Sequence, residues 1–77
     1  MTTQAFTLKA YLERLIRERG GPVRVLVNGT CYHLRRVHQD FVLAWHDDGT
    51  GKPCPTEALL GLDLLRRSDV LVYPQAS

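Results

Sequence analysis

Asn28-Gly29 stands between two β-rich runs, and this dipeptide constrains the fold more than any other feature of the chain. A two-residue reversal matches the twist of its flanking strands only with positive φ at both positions, a conformation Asn and Gly tolerate. Upstream, Val23, Val25 and Val27 share one side of a pleat, with Arg24 on the other. Downstream, a strand over Thr30–Val37 places Tyr32 and Leu34 on one face and Cys31, His33 and Arg35 on the other. The fold must therefore be built around an antiparallel hairpin, and the rest of the chain has to cover its apolar face.

Other elements supply the cover. From Thr7 to Arg19, Leu8, Tyr11, Leu12, Leu15 and Ile16 recur at helical spacing and form one stripe. Thr7 suits the N-cap, and Gly20-Gly21-Pro22 closes the helix with a glycine and a breaker. Glu13 with Arg17, and Arg14 with Glu18, make charge pairs four residues apart on the outer face. After a turn at His38-Gln39-Asp40, the near-continuous apolarity of Phe41–His46 predicts a strand buried on both faces, with Phe41 and Trp45 in the core. The Asp47–Pro53 stretch reads as a loop. The segment from Pro55 to Arg67 has two readings. One is a helix capped by Thr56 that turns Ala58, Leu59, Leu62 and Leu65 inward; the other is a strand alternating Leu60, Leu62 and Leu64, with a bulge at Gly61. Asp69–Tyr73, with Val70, Leu71 and Val72, forms a last strand, ended by Pro74. The expected architecture is α+β, an N-terminal helix packed on a small, strongly bent antiparallel sheet or barrel. The alternative is an α-β-β-β-α-β two-layer sandwich.

Seventy-seven residues suit one domain, with residues 1–6 and 75–77 expected outside its ordered part. A core of this size is marginal unless something staples it, which raises the expectation of self-association. No apolar run is long enough to span a bilayer, and Met1-Thr2-Thr3-Gln4-Ala5 lacks the basic and apolar regions of a signal peptide, so the expected location is cytoplasmic and no membrane partner is expected. In that compartment Cys31 and Cys54 are expected as reduced thiols. A net charge of +2 permits an acidic partner without demanding one.

Chemistry is sparsely encoded. The metal-competent side chains are Cys31, His33, His38, His46 and Cys54, of which only Cys31 and His33 form a tight pair; a tetrahedral zinc site usually needs two. No metal or other cofactor is therefore expected. Cys31 with His33, or Cys54 with His46 and Asp47, could be drawn as a nucleophile and its base, but neither falls in a catalytic signature. A chain this short also leaves little room for a ligand pocket. Gly49-Thr50-Gly51-Lys52 lacks the strand and glycine spacing of a phosphate loop. The expectation is a protein that is not an enzyme. Residues suited to stacking on and neutralising a nucleic acid are Tyr32, Arg35, Arg36, Arg66 and Arg67.

Several of these features are similar to the Sm fold, specifically the bacterial Hfq type of small β-barrel. Val27-Asn28-Gly29 ends the first strand as in that family, Asp40-Phe41-Val42-Leu43 resembles its turn into an apolar strand, and Val70-Leu71-Val72-Tyr73-Pro74 resembles its closing strand. The resemblance implies an oligomeric, RNA-binding regulator in which Asn28, Gly29 and Asp40 are structural. The chain departs from the family's pattern at three places, the first being that Asp40 and Phe41 are adjacent where the family separates the aspartate and the aromatic by one residue. Leu34 stands where the family has the glycine that bends its second strand, and Arg66-Arg67-Ser68-Asp69 replaces its Tyr-Lys-His RNA motif. Small barrels of the SH3 type, which serve mostly as interaction modules, fit almost as well. The two functional expectations are thus a protein-interaction or self-assembly module, acting as a homo-oligomer or with a protein partner, and an Sm-like RNA-binding regulator.

Overall fold

The computed structural model describes residues 7–74, so the expectations for residues 1–6 and 75–77 lie outside the described residues. Helix α1 (Leu8–Arg19) is followed by β1 (Val23–Val27), β2 (Thr30–Val37), β3 (Phe41–Asp47), β4 (Pro53–Gly61), a short helix α2 (Leu62–Arg66) and β5 (Val70–Val72). The five strands form one antiparallel sheet in the order β4-β3-β2-β1-β5, and this sheet is open rather than closed into a barrel. No helix among the described residues is long and apolar enough to cross a membrane.

The termini of α1 follow local chemistry. The Thr7 hydroxyl accepts from the Ala10 amide at 3.1 Å, and Gly20 takes a left-handed conformation and donates to the carbonyls of Ile16 and Arg17. Leu12 is fully buried, with Leu8, Leu15 and Ile16 packed beside it, while Tyr11 sits at the margin of the stripe and is exposed. Of the two expected charge pairs, Arg14–Glu18 closes at 3.1 Å; Glu13 and Arg17 line a cleft shared with β2.

The Asn28-Gly29 turn has positive φ at both residues (49° and 86°), as a two-residue hairpin of this hand requires. Asn28 also joins distant parts of the chain. Its side-chain amide donates to Ser68 Oγ and its side-chain oxygen accepts from the Asp69 amide, while its own backbone N–H donates to the Asp69 carbonyl. These bonds bring β5 to the free side of β1, in the register Val25↔Val72, Leu26↔Leu71, Val27↔Val70.

One face of the sheet carries the core: Val23, Val25, Val27, Leu34, Val42, Ala44 and Leu60, sealed by Leu12 of α1 and by Leu62 and Leu65 of α2. The helices cover only this face, so β3 alternates instead of being buried on both sides. Val42 and Ala44 are fully buried, whereas Phe41, Leu43 and Trp45 are half-exposed and stay out of the buried core. The Pro55–Arg67 segment combines its two readings. It pairs with β3 until Phe41↔Gly61 ends the ladder, and Gly61 is then the extended N-cap of α2 rather than a bulge. The Leu62 amide donates to the Asp40 carbonyl at 2.9 Å and fixes this change of direction. The added strand β4 is what distinguishes the architecture from the α-β-β-β-α-β alternative.

Candidate functional site

Two irregularities shape the outer face of the sheet. The register slips between Leu34 and Arg36 on β2, and again between Trp45 and Asp47 on β3. Beyond the second slip the β3–β4 hairpin curls back over the sheet, and a Cβ added at Gly51 would lie 3.1 Å from Arg24 Nη1. His33 is thereby enclosed on what would otherwise be an open face and is only 5 % exposed.

A polar cluster lies beneath that hairpin. His33 Nε2 is 2.7 Å from Asp47 Oδ1. The other carboxylate oxygen of Asp47 accepts from the amides of Gly49 (2.8 Å) and Gly51 (3.3 Å), whose positive φ values let the loop close around it. The hydrogen bond from His33, helped by the two loop amides and by the charge of Arg24, lowers the Asp47 pKa from 3.8 to about 2, against the opposing effect of burial. Asp47 is therefore a carboxylate and His33 Nε2–H is the donor. Arg24 Nε donates to Cys31 Sγ at 3.2 Å and lies 3.9 Å from Asp47 Oδ1. Its guanidinium rests 4.0 Å above the Tyr73 ring. The hydrogen bond to Cys31, more than any other contact, raises the pKa of Arg24 further. One donor atom from each of Cys31, His33 and Asp47 lies within 4.8 Å of the others. A cleft of about 440 Å³ borders the cluster, lined by Arg19, Arg24, His33, Gly51 and Tyr73 among others.

The structure thus keeps Cys31 and His33 together and leaves the other three metal-competent side chains outside the cluster. His46 pairs across the sheet with Tyr32, its ring centroid 5.4 Å from the tyrosine's, and Cys54 Sγ donates to the His46 carbonyl at 3.2 Å. Asp47 joins the cluster although the spacing in sequence gave no sign of it. The bulge after Trp45 turns its carboxylate toward His33, and no residue type marks that bulge in advance. His38 stacks on Phe41 at 4.7 Å, away from the cluster.

The basic residues divide. Arg35 lies 4.2 Å over the Trp45 ring and donates to Glu57 at 3.0 Å. Arg35 and Arg36 line both a cleft of about 420 Å³ with Leu43 and Trp45 and one of about 580 Å³ with Glu13 and Arg17. Arg66 and Arg67 hold the end of α2 instead, bonding to the Asp63 carboxylate and carbonyl. Tyr32 is half-buried against the core.

A third feature is the rim of the sheet. Leu59 on β4 (67 % exposed), Leu71 on β5 (61 %) and Leu64 on α2 (52 %) are the most exposed large aliphatic residues among those described. Leu59 and Leu71 stand on the two edge strands.

No family model matches this chain, and comparison with curated proteins and with solved structures finds no match either.

Proposed function

We propose that this protein is a self-assembly module whose partner is a second copy of the same chain, joined through the open edges of the sheet. The observation that carries this reading is the pair of open edges, apolar over Ala58–Leu60 and Val70–Val72. Among the described residues, strands β4 and β5 each pair with one neighbour only, so each offers a free row of backbone donors and acceptors. Proteins keep such edges apart with charges, prolines or very short edge strands. Neither strand carries a basic residue; β4 has the single acid Glu57, which Arg35 engages, and β5 is Val-Leu-Val. Pro53 and Pro55 block the first part of β4 and Pro74 follows β5, so pairing is confined to a short ladder between Thr56–Gly61 and Val70–Val72. Because the two edges differ, a β4-to-β5 contact is head-to-tail and leads to a ring or a chain of copies rather than to a two-fold dimer. Burying an exposed leucine contributes about 1.5–3 kcal/mol, enough for Leu59 and Leu71 to matter at this scale.

Placing a lysine on an edge tests the reading. Leu59→Lys or Leu71→Lys should leave the far-ultraviolet circular dichroism unchanged and reduce the sedimenting species to a monomer. If both variants sediment as the unmodified chain does, the edges are not the contact.

A second reading, an Sm-like module binding RNA or another acidic partner, is favoured by one arrangement. Arg17, Arg35 and Arg36 line one cleft, and Trp45 stands beside the last two. An oligonucleotide bound there should dissociate as salt rises, since phosphate contacts release counterions. Affinity that is independent of salt, or unchanged in Arg36→Ala, argues against it.

A further inference from the structure

We propose that Cys31, His33 and Asp47 form a binding site for a divalent transition-metal ion of the zinc class, its fourth position left to water or a small anion. The donor set is one sulfur, one nitrogen and one oxygen, all types that zinc accepts, and a three-residue set with an open position is the pattern of sites that bind an exogenous group. Donors around a tetrahedral ion lie roughly 3.3–3.8 Å apart, as bonds of about 2.0–2.3 Å dictate. The observed separations, none above 4.8 Å, need only small side-chain adjustments to reach that arrangement.

Burial and outer contacts separate this cluster from a chance meeting of side chains. His33 and Asp47 are more than nine-tenths buried, with side chains 6 % and 8 % exposed. Two of the three ligands already carry the outer hydrogen bonds that orient ligands in metal sites. Arg24 Nε–H points at Cys31 Sγ, and the amides of Gly49 and Gly51 hold the Asp47 oxygen that does not face His33. Of the three ligands, His33 borders the adjoining cleft of about 440 Å³.

Cys31 binds as a thiolate and releases its proton, and His33 moves its remaining ring proton to Nδ1, so that Nε2 is free and its bond to Asp47 opens. The thiolate and carboxylate then cancel the two positive charges of the ion. Arg24 leaves the assembly one unit positive, which favours an anion rather than neutral water in the open position.

Cobalt(II) is the probe, because zinc is spectroscopically silent. Titrated into the reduced full-length chain, it should give one equivalent of tetrahedral cobalt with a thiolate-to-cobalt charge-transfer band, displaced by zinc. The band should vanish in Cys31→Ser, persist in Cys54→Ser, and require about tenfold or more cobalt in His33→Gln. Should Cys31→Ser fail to fold, amide NMR shifts of the unmodified chain on adding zinc decide the matter, and they should centre on Cys31, His33, Asp47 and Gly51. The proposal is overturned by the absence of a thiolate band at saturating cobalt, by a band that survives Cys31→Ser and is lost in Cys54→Ser, or by zinc-induced shifts centred on His46 and Cys54.

Discussion

Asp47 is the residue on which the outer face turns. Its carboxylate faces His33 on one side and the amides of Gly49 and Gly51 on the other, and it ties the β3–β4 hairpin down onto β2. Its pKa in the folded protein is about 2, below the ordinary 3.8, so the folded state binds its proton less readily than the unfolded state does. The stability it contributes is therefore present above about pH 4 and is lost as pH falls from there toward 2. Asp48, held by Thr50 and Lys52, is displaced in the same direction. For the metal-free protein, the denaturation midpoint of the unmodified chain should fall over this interval. Asp47→Asn should be less stable at neutral pH and show a shallower acid limb. An equally steep limb in Asp47→Asn would assign the acid sensitivity to other carboxylates. This residue also marks where sequence reading stops. Cys31 and His33 could be paired by their spacing on a strand, whereas the approach of Asp47 depends on a bulge that no residue type announces.

At the scale of elements, the parts set by local chemistry were legible. Thr7, Gly20, Asn28 and Gly29 fix their backbone through their own side chains or the lack of one, and α1 and the β1–β2 hairpin fall where these residues place them. The parts decided by long-range pairing were not. Phe41–His46 is as apolar as a strand buried on both faces, yet the two helices cover one face only and leave Trp45 beside Arg35. Residues 55–67 suited strand and helix alike, and the length of the β3 ladder settles where one gives way to the other. Asn28 offers a test of long-range pairing from a local position, because its turn and its contacts to Ser68 and Asp69 can be separated. Asn28→Gly keeps the positive φ and removes both side-chain bonds. The expected loss is about 1–2 kcal/mol in chemical denaturation. Faster amide exchange should be confined to Val70–Val72. Uniformly faster exchange across the sheet would show that β5 is not clamped independently.

At the scale of the molecule, the described residues form a sheet with one face sealed by helices, the other partly roofed by its own hairpin, and both edges open. A chain of 77 residues has little core to spare, and apolar edges give it a means of adding stability by association. The strand order that produces those edges could not be read from the chain alone, because β5 reaches β1 across 40 residues through Asn28. Assembly through backbone ladders and leucines should be insensitive to salt, unlike binding through Arg17, Arg35 and Arg36. Absolute mass by light scattering on a sizing column, at low and at high salt, tests this most directly. Edge-to-edge assembly should give a multiple of 8.7 kDa that persists at high salt. A monomer of 8.7 kDa at both salt concentrations would contradict it.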